Sequence, residues 1–437
     1  MWESIRNIFK IPELRRRILY SLALLSVYRM GTHIPIPGVD SAMLANFMAQ
    51  HAEGIFGFLD MFSGGAFNQM TVFALGIMPY ISASIILQLM TVVVPALERL
   101  SKEGEVGRKK ITQYTRYGTI GLSLIQSLGI AIGLEGMHQG SLIKGGGGWG
   151  FRLMTMITLT AGTSFIMWLG EQITDRGIGN GISLIIFSGI VAGVPRSFIR
   201  TVQQVIRAEM RLTSLILIIL IIVVVTAGTV TMQQAQRRLP VQYAKRVVGK
   251  KMMGGSSTHI PIGINSAGVM PVIFASSIIM FPVTILKFIS SPDRTFVQWL
   301  VDNLTPGSLL YNVLYIAAII FFTFFYTAII FNPVDLADNM KKYGGFIPGI
   351  RPGRNTSQYI DRVLTRVTLV GALFLAAIAV LPTFLYRFMD VQFYFGGTAL
   401  LIVVGVGLDT IQQIESHLLM RHYDGFLRKG RIRGGRR

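Results

Sequence analysis

Gly76-Ile-Met-Pro-Tyr-Ile-Ser-Ala-Ser-Ile-Ile86 and Gly268-Val-Met-Pro-Val-Ile-Phe-Ala-Ser-Ser-Ile278 are two copies of one phrase, identical at seven of eleven positions. A looser pair is Gly181-Ile-Ser-Leu-Ile-Ile-Phe-Ser-Gly189 and Gly397-Thr-Ala-Leu-Leu-Ile-Val-Val-Gly405. All four lie in apolar runs. A helix needs roughly 20 apolar residues to cross the hydrocarbon core. Ten segments qualify or come close: 18–33, 70–94, 117–134, 153–169, 182–199, 212–232, 264–286, 309–331, 364–385 and 395–414. The first pair joins the second segment to the seventh, and the second pair joins the fifth to the tenth. Apolar matches are cheap singly, but both pairs share one offset of five spans. The chain therefore reads as two five-helix halves. An odd number of spans per half inverts the second half, and functional centres in such folds lie near the midplane, where paired spans are interrupted by Pro or Gly. Here those are spans two and seven, with Pro79 and Pro271, and spans five and ten.

The composition agrees with a bilayer. Of the 437 residues 51% are hydrophobic and only 14% charged, against about a quarter charged in a soluble domain; mean hydropathy is +0.54. Forty-seven glycines and sixteen prolines are tolerable in packed membrane helices. Cysteine is absent, which excludes disulfides, thiol catalysis and Cys-ligated metals. The basic start followed by an apolar run mimics a signal peptide. No small-residue cleavage site closes the run, so a retained first helix is expected.

The net charge of +20 is unevenly placed. With the N-terminus inside, 31 of the 41 Lys and Arg fall on inner segments, and none lies between Met30 and Glu98. Positive residues are retained on the cytoplasmic side, so both termini are expected in the cytoplasm. Arg196, Arg200, Arg207 and Arg211 fall outside, against the rule. The expected organisation is a cytoplasmic N-terminus (1–17), a first half (18–200), a second half (201–416) with inner loops 233–263 and 332–363, and a basic tail (417–437).

Chemistry is sparse. The six histidines lack metal-ligand spacing, and no Gly-x-x-x-x-Gly-Lys-[Ser/Thr] occurs. Gly145 to Gly148 reads as flexible linker, and Gly177-Ile-Gly-Asn-Gly181 as a tight inner turn. Ionisable residues within spans are few. Arg29 and Glu415 lie near span ends within reach of headgroups, and Asp409 is the one deep carboxylate. An ion-coupled inverted-repeat secondary transporter, the rival reading, would be expected to hold carboxylates at the midplane. Their scarcity argues for a passive pore with no enzyme chemistry and no cofactor. Between spans one and two a Phe- and Gly-rich piece at about 54–69 is too short to cross. It reads either as an interfacial or re-entrant helix or as a mobile stopper folded over a pore.

Longer motifs carry a family likeness. Ala74 to Ile86, Gly104-Glu-x-Gly-Arg-Lys-Lys-Ile-Thr-Gln-Tyr-Thr-Arg-Tyr117, Gly177 to Ser183, Tyr243-Ala-Lys-Arg246, Pro348-Gly-Ile-Arg-Pro-Gly353 and Phe393-Tyr-Phe-Gly-Gly-Thr398 closely resemble the bacterial SecY family from end to end. That resemblance implies a protein-conducting channel in the inner membrane, with SecE, SecG, SecA, the ribosome, signal peptides and unfolded secretory proteins as partners. It implies a pore ring at Ile77, Ile81, Ile186, Ile273 and Ile402. The family's plug maps onto about Gly57 to Asn68, chiefly Gly57, Phe58, Leu59, Asp60, Met61, Phe62, Ser63, Gly64 and Gly65. A lateral gate between spans two and three and spans seven and eight would involve Pro79, Ser82, Gln88, Asn180, Pro271, Ser276 and Ser277. Docking of SecA or ribosome would fall to Lys245, Arg246, Lys250, Lys251, Arg351 and Arg354.

The topology has a direct check, because single cysteines can be introduced without background. An impermeant thiol reagent applied to sealed cells is expected to label G146C and to spare G249C and G430C. Labelling of G430C would overturn the inverted arrangement.

Overall fold

A computed structural model describes residues 11–40, 43–44, 55–136, 143, 147–207, 211–243, 246–248, 251–253, 257–289, 299–301, 303–305, 307–389 and 397–429. Lys245 and Lys250, the first residue of the 54–69 segment, residues 1–10 and the tail 430–437 lie outside them.

In chain order come α1 (Pro12–Gly31), α2 (Ile55–Ser63), α3 (Met78–Val93), α4 (Pro95–Lys102), α5 (Glu105–Gly136), α6 (Trp149–Arg176), α7 (Gly181–Ile206) and α8 (Leu212–Gln234). Four strands follow: β1 (Gln236–Tyr243), β2 (Arg246–Val248), β3 (Lys251–Met253) and β4 (Ser257–Gly263). The chain ends with α9 (Met270–Ile289), α10 (Leu309–Ile330), α11 (Pro333–Lys342), β5 (Gly345–Phe346), α12 (Arg354–Met389) and α13 (Gly397–Lys429).

Each of the ten expected segments falls on a helix. Among the described residues, seven helices are long and apolar enough to cross a membrane. Spans one and two depart for local reasons. Arg15, Arg16 and Arg17 dilute α1. Span two breaks where Pro95 restricts Val94 to extended backbone (φ −98°, ψ 112°), so α3 and α4 meet at 99°. Spans two and seven were expected from residues 70 and 264, but their helices open only at Met78 and Met270. The physical reason is the same in both. Gly76 (φ 56°) and Gly268 (φ 63°) take left-handed backbone, and a proline sits in the first helical turn after each.

The chain divides into two compact units. One comprises Met1–Arg200, Met280–Pro306 and Val406–Arg437; the other comprises Thr201–Ile279 and Gly307–Gly405. In the first, α5 and α6 are stapled near both ends. Arg116 grips Glu171 with two bonds of 2.8 Å, and Arg152 grips Glu135, which also accepts the Gly148 N–H at 2.8 Å. Between the staples the buried faces are rich in small residues, including Thr119, Ser123 and Ser127 on α5 and Thr155, Gly162 and Thr163 on α6. Small side chains let membrane helices approach closely. A Cβ at Gly162 would lie 2.0 Å from the Val72 carbonyl oxygen. Around this pair Ile36, Leu44, Phe67, Met70, Ala74, Ile130, Leu134 and Leu159 form one buried cluster.

In the second unit α8 is apolar all round and almost none of its most apolar stretch is buried, as a helix facing lipid should be. The expected inner loops are not irregular. β1 pairs antiparallel with β4 (Leu239 opposite Ile260) and with β5 (Gln242 opposite Phe346), giving a sheet of order β4-β1-β5. Leu239, Val241 and Ile262 from the sheet pack against Met340, Ile347, Ile360 and Leu364. β2 and β3 pair with each other as a separate two-stranded sheet. The segments flanking spans six to nine therefore share one hydrophobic core. Arg207 and Arg211 are exposed, and nothing in the described residues accounts for their departure from the expected charge bias.

Ile262 is fully buried at the centre of that core. I262A is expected to cost roughly 2–5 kcal/mol locally. Hydrogen exchange should show the amides of β1 losing protection while those of α5 and α6 keep it.

Candidate functional site

The five ring candidates are all buried, from 0% exposed at Ile402 to 3% at Ile81. Ile77 is the N-cap residue of α3 and Ile81 lies one turn further on. Ile186, Ile273 and Ile402 occupy the first two turns of α7, α9 and α13. Their register is common. Ile81, Ile186, Ile273 and Ile402 each stand five residues after the glycine that opens their repeated phrase: Gly76, Gly181, Gly268 and Gly397. Ile77, Ile81 and Ile186 belong to the first unit, Ile273 and Ile402 to the second.

The plug candidate is helical over α2, and its last turn runs into two left-handed glycines, Gly64 (φ 69°) and Gly65 (φ 89°). The segment closes on itself. Asp60 accepts from the Asn68 backbone at 2.9 Å and from the Asn68 side chain, and its carbonyl accepts from Gly65 at 2.9 Å. Ser63 Oγ accepts the Phe67 N–H. Phe62 and Ser63 are buried; Gly57, Asp60 and Met61 are half-buried. Arg29, expected to reach headgroups, instead donates to the Gly64 carbonyl oxygen at 2.8 Å, and Tyr28 Oη donates to the Ser63 carbonyl oxygen at 3.0 Å.

The gate candidates have separate local roles. Pro79 and Pro271 open α3 and α9. Asn180 caps α7, its Oδ1 accepting from Ile182 (3.1 Å) and Ser183 (3.3 Å). Gln88 donates to Ser84, and Ser276 Oγ donates to the Ile273 carbonyl within a fully buried environment that also holds Ser277. Ser82 lines a narrow cavity with Met78, Gln126, Met280, Phe281 and Thr284. Its Oγ has no hydrogen-bond partner among the described residues.

The inner turn before α7 is held from three other places in the chain. Ile178 N–H donates to Ser21 Oγ (3.0 Å), Gly179 N–H to Gln413 Oε1 (2.9 Å) and Gly181 N–H to Thr174 Oγ1 (2.9 Å). Ser21, Thr174, Gln126 and Gln413 were missed by sequence reasoning. No local pattern marks a side chain whose partner is a backbone amide 157 or 234 residues away.

Among the docking candidates, Arg351 is exposed between two left-handed glycines, Gly349 (φ 80°) and Gly353 (φ 106°), and its carbonyl accepts from Thr356 Oγ1. Arg354 is exposed where α12 begins. Arg246 and Lys251 are in β2 and β3. Asp409, the deep carboxylate of the sequence reading, is exposed, and among the described residues no three His, Asp or Glu gather as a metal site.

A sequence model of the SecY family matches residues 71–411 of this chain. The chain belongs to the SecY family. The matched region contains all five ring positions. Full-length relatives cover the plug segment as well: the protein translocase subunit SecY of Escherichia coli K12 is 50% identical over 429 residues, 97% of this chain and 96% of its own. That of Aquifex aeolicus is 45% identical and covered completely, as is that of Streptomyces coelicolor at 48%. Among solved structures, a protein-conducting channel covers 98% of the chain with TM-score 0.65 at 16% identity. A SecY structure described as showing that its plug domain stabilises the closed state aligns with TM-score 0.62 at 18% identity. The structural likeness shows the fold; the sequence likeness shows the family. With its apolar helices, this SecY-family chain is a multi-pass membrane protein.

Proposed function

We propose that the chain is the central channel subunit of a protein translocase, passing unfolded secretory proteins across the inner membrane and releasing apolar helices sideways into lipid. The observation that carries this is half-identity over nearly the whole chain to a protein translocase subunit. The transporter reading has no observation in its favour.

Such a pore faces a conflict: it must pass any side chain yet hold back ions when idle. A polar ring would stay wet. Branched aliphatic side chains gate by dewetting and offer a passing peptide no hydrogen bonds. Isoleucine narrows the opening while its few rotamers lie flat against chains of differing width. Residues 57–68 act as the plug over this ring. The common spacing of four ring isoleucines from their glycines supports the reading, since an inverted repeat presents equivalent positions to one midplane. The gate lies between spans two and three and spans seven and eight, where an apolar signal helix exits because lipid satisfies it better than water does.

Both termini and the β1–β5 sheet lie on the cytoplasmic side. The core under the β4-β1-β5 sheet holds the segment that carries Arg351 and Arg354, and the separate β2–β3 hairpin carries Arg246 and Lys251, so the two offer SecA or a ribosome a basic surface. Lys245 and Lys250 would extend it. Structures described as Sec61 in a canine ribosome–channel complex and as an idle yeast Ssh1 complex on the 80S ribosome share the fold (TM-scores 0.62 and 0.57), which supports this partner class. SecE and SecG complete the complex.

Two measurements follow from this reading. Changing two or more ring isoleucines to Gly or Ser should raise idle ion conductance in a planar bilayer markedly, and more so with residues 57–68 deleted. The same changes at Ile219 or Ile320 should not. Equal leakage from both sets, or none, would make the ring ordinary packing. R351E should leave insertion and stability intact while lowering secretion or ribosome binding, with binding steeply salt-dependent. Normal secretion in that variant would remove Arg351 from the docking surface.

A further inference from the structure

The plug's attachment to the rest of the first unit is specific. α2 ends with its last carbonyls pointing out of the helix, where no intrahelical N–H can reach them. The last of them, Ser63 O, and the next carbonyl beyond the helix, Gly64 O, are satisfied by adjacent residues of α1: Tyr28 Oη on Ser63 O (3.0 Å) and Arg29 Nη1 on Gly64 O (2.8 Å). A guanidinium at this place also complements the negative end of the helix dipole. Tyr28 is 1% exposed and stacks on Phe73 at 5.9 Å, so its hydroxyl is rigidly aimed. A buried tyrosine hydroxyl and an arginine beside it are costly in an apolar region unless they are used.

The same turn touches the ring helix. A Cβ on Gly64 would lie 2.7 Å from Gly189 Cα, and one on Gly189 would lie 3.1 Å from Gly64 Cα. Backbone meets backbone there, with no side chain to absorb movement. Gly189 follows ring residue Ile186 by three positions, less than one helical turn along α7.

We infer that Tyr28 and Arg29 form a latch that holds the plug closed, and that α7 senses the ring and releases it. The inference rests on the plug reading of residues 57–68 and assigns the residues that position it. A chain forcing Ile186 outward displaces Gly189 from Gly64. The turn then loses its packing while its two carbonyl bonds remain, so release begins on the α7 side and the two donors set how readily the plug returns. Tyr28 and Arg29 are positioning residues: they touch the plug and not the translocating chain.

The test is idle conductance of the purified channel complex in a planar bilayer, with Y28F, R29Q and R29K made both in the full chain and with residues 57–68 deleted. In the full chain R29Q should raise the open fraction about tenfold, the factor expected for one lost charge-assisted bond. Y28F should raise it less, and R29K, which keeps a cation at the helix end, should restore most of the seal. In the plug-deleted chain none of the three should add to the leak already present, because the latch then has nothing to hold. A leak of equal size in both backgrounds would make Arg29 ordinary helix packing and overturn the latch, as would an unchanged idle conductance in R29Q and Y28F of the full chain. A plug deletion that leaves conductance unchanged is a separate failure. It would overturn the plug reading itself, and the latch with it.

Discussion

Every departure from helix in a membrane protein must find partners for its backbone N–H and C=O groups, because lipid offers none. This constraint organises the chain. Among the described residues, three departures stand directly before helices that carry ring candidates: the turns from Ser63 to Gly76, the tip from Gly177 to Asn180 and the turn from Gly263 to Val269. Each is bonded in detail. Tyr28 and Arg29 serve the first; Ser21, Gln413 and Asn180 serve the second; the Asn265 side chain, donating to the Gly268 carbonyl at 3.0 Å, serves the third. At these breaks begin α3, α7 and α9, three of the helices that carry ring candidates. A helix end leaves N–H or C=O groups without intrahelical partners, so side chains supply the missing acceptors at the second break and the missing donors at the first and third.

Glycine and proline make those starts possible. Left-handed backbone at Gly76 and Gly268 turns the chain, and proline at the first helical turn spends no N–H that would otherwise be orphaned. Close approach then follows. Gly64 meets Gly189, and a Cβ at Gly181 would lie 1.9 Å from the Gly170 carbonyl oxygen. The channel reading requires a constriction that is apolar and yet movable. Ile81, Ile186, Ile273 and Ile402 lie within the first two turns of their helices, and their aliphatic side chains require no hydrogen-bond partner.

Much of this was legible in the sequence. The apolar runs, the charge bias and the four repeated phrases depend on local composition and spacing, and these are read directly. The shared spacing of Ile81, Ile186, Ile273 and Ile402 from their glycines was also present in the text. Two local readings needed correction. Spans two and seven looked continuous from residues 70 and 264, because hydropathy does not distinguish an apolar turn from an apolar helix. The segments 233–263 and 332–363 were read as inner loops without strands; the alternation of Leu239 and Val241 is too short a signal to announce a sheet.

By itself the sequence determined the helical membrane class, the repeated phrases and the family, since each is written in residue order and needs no knowledge of how the helices pack. Only the tertiary structure decided what holds the breaks: that Arg29 serves Gly64 instead of lipid, that Gln413 serves Gly179, and that Ser21 serves Ile178. The physical reason is that a backbone amide or carbonyl is the same chemical group at every residue. A side chain that bonds one carries no mark of which it will find until the helices have packed.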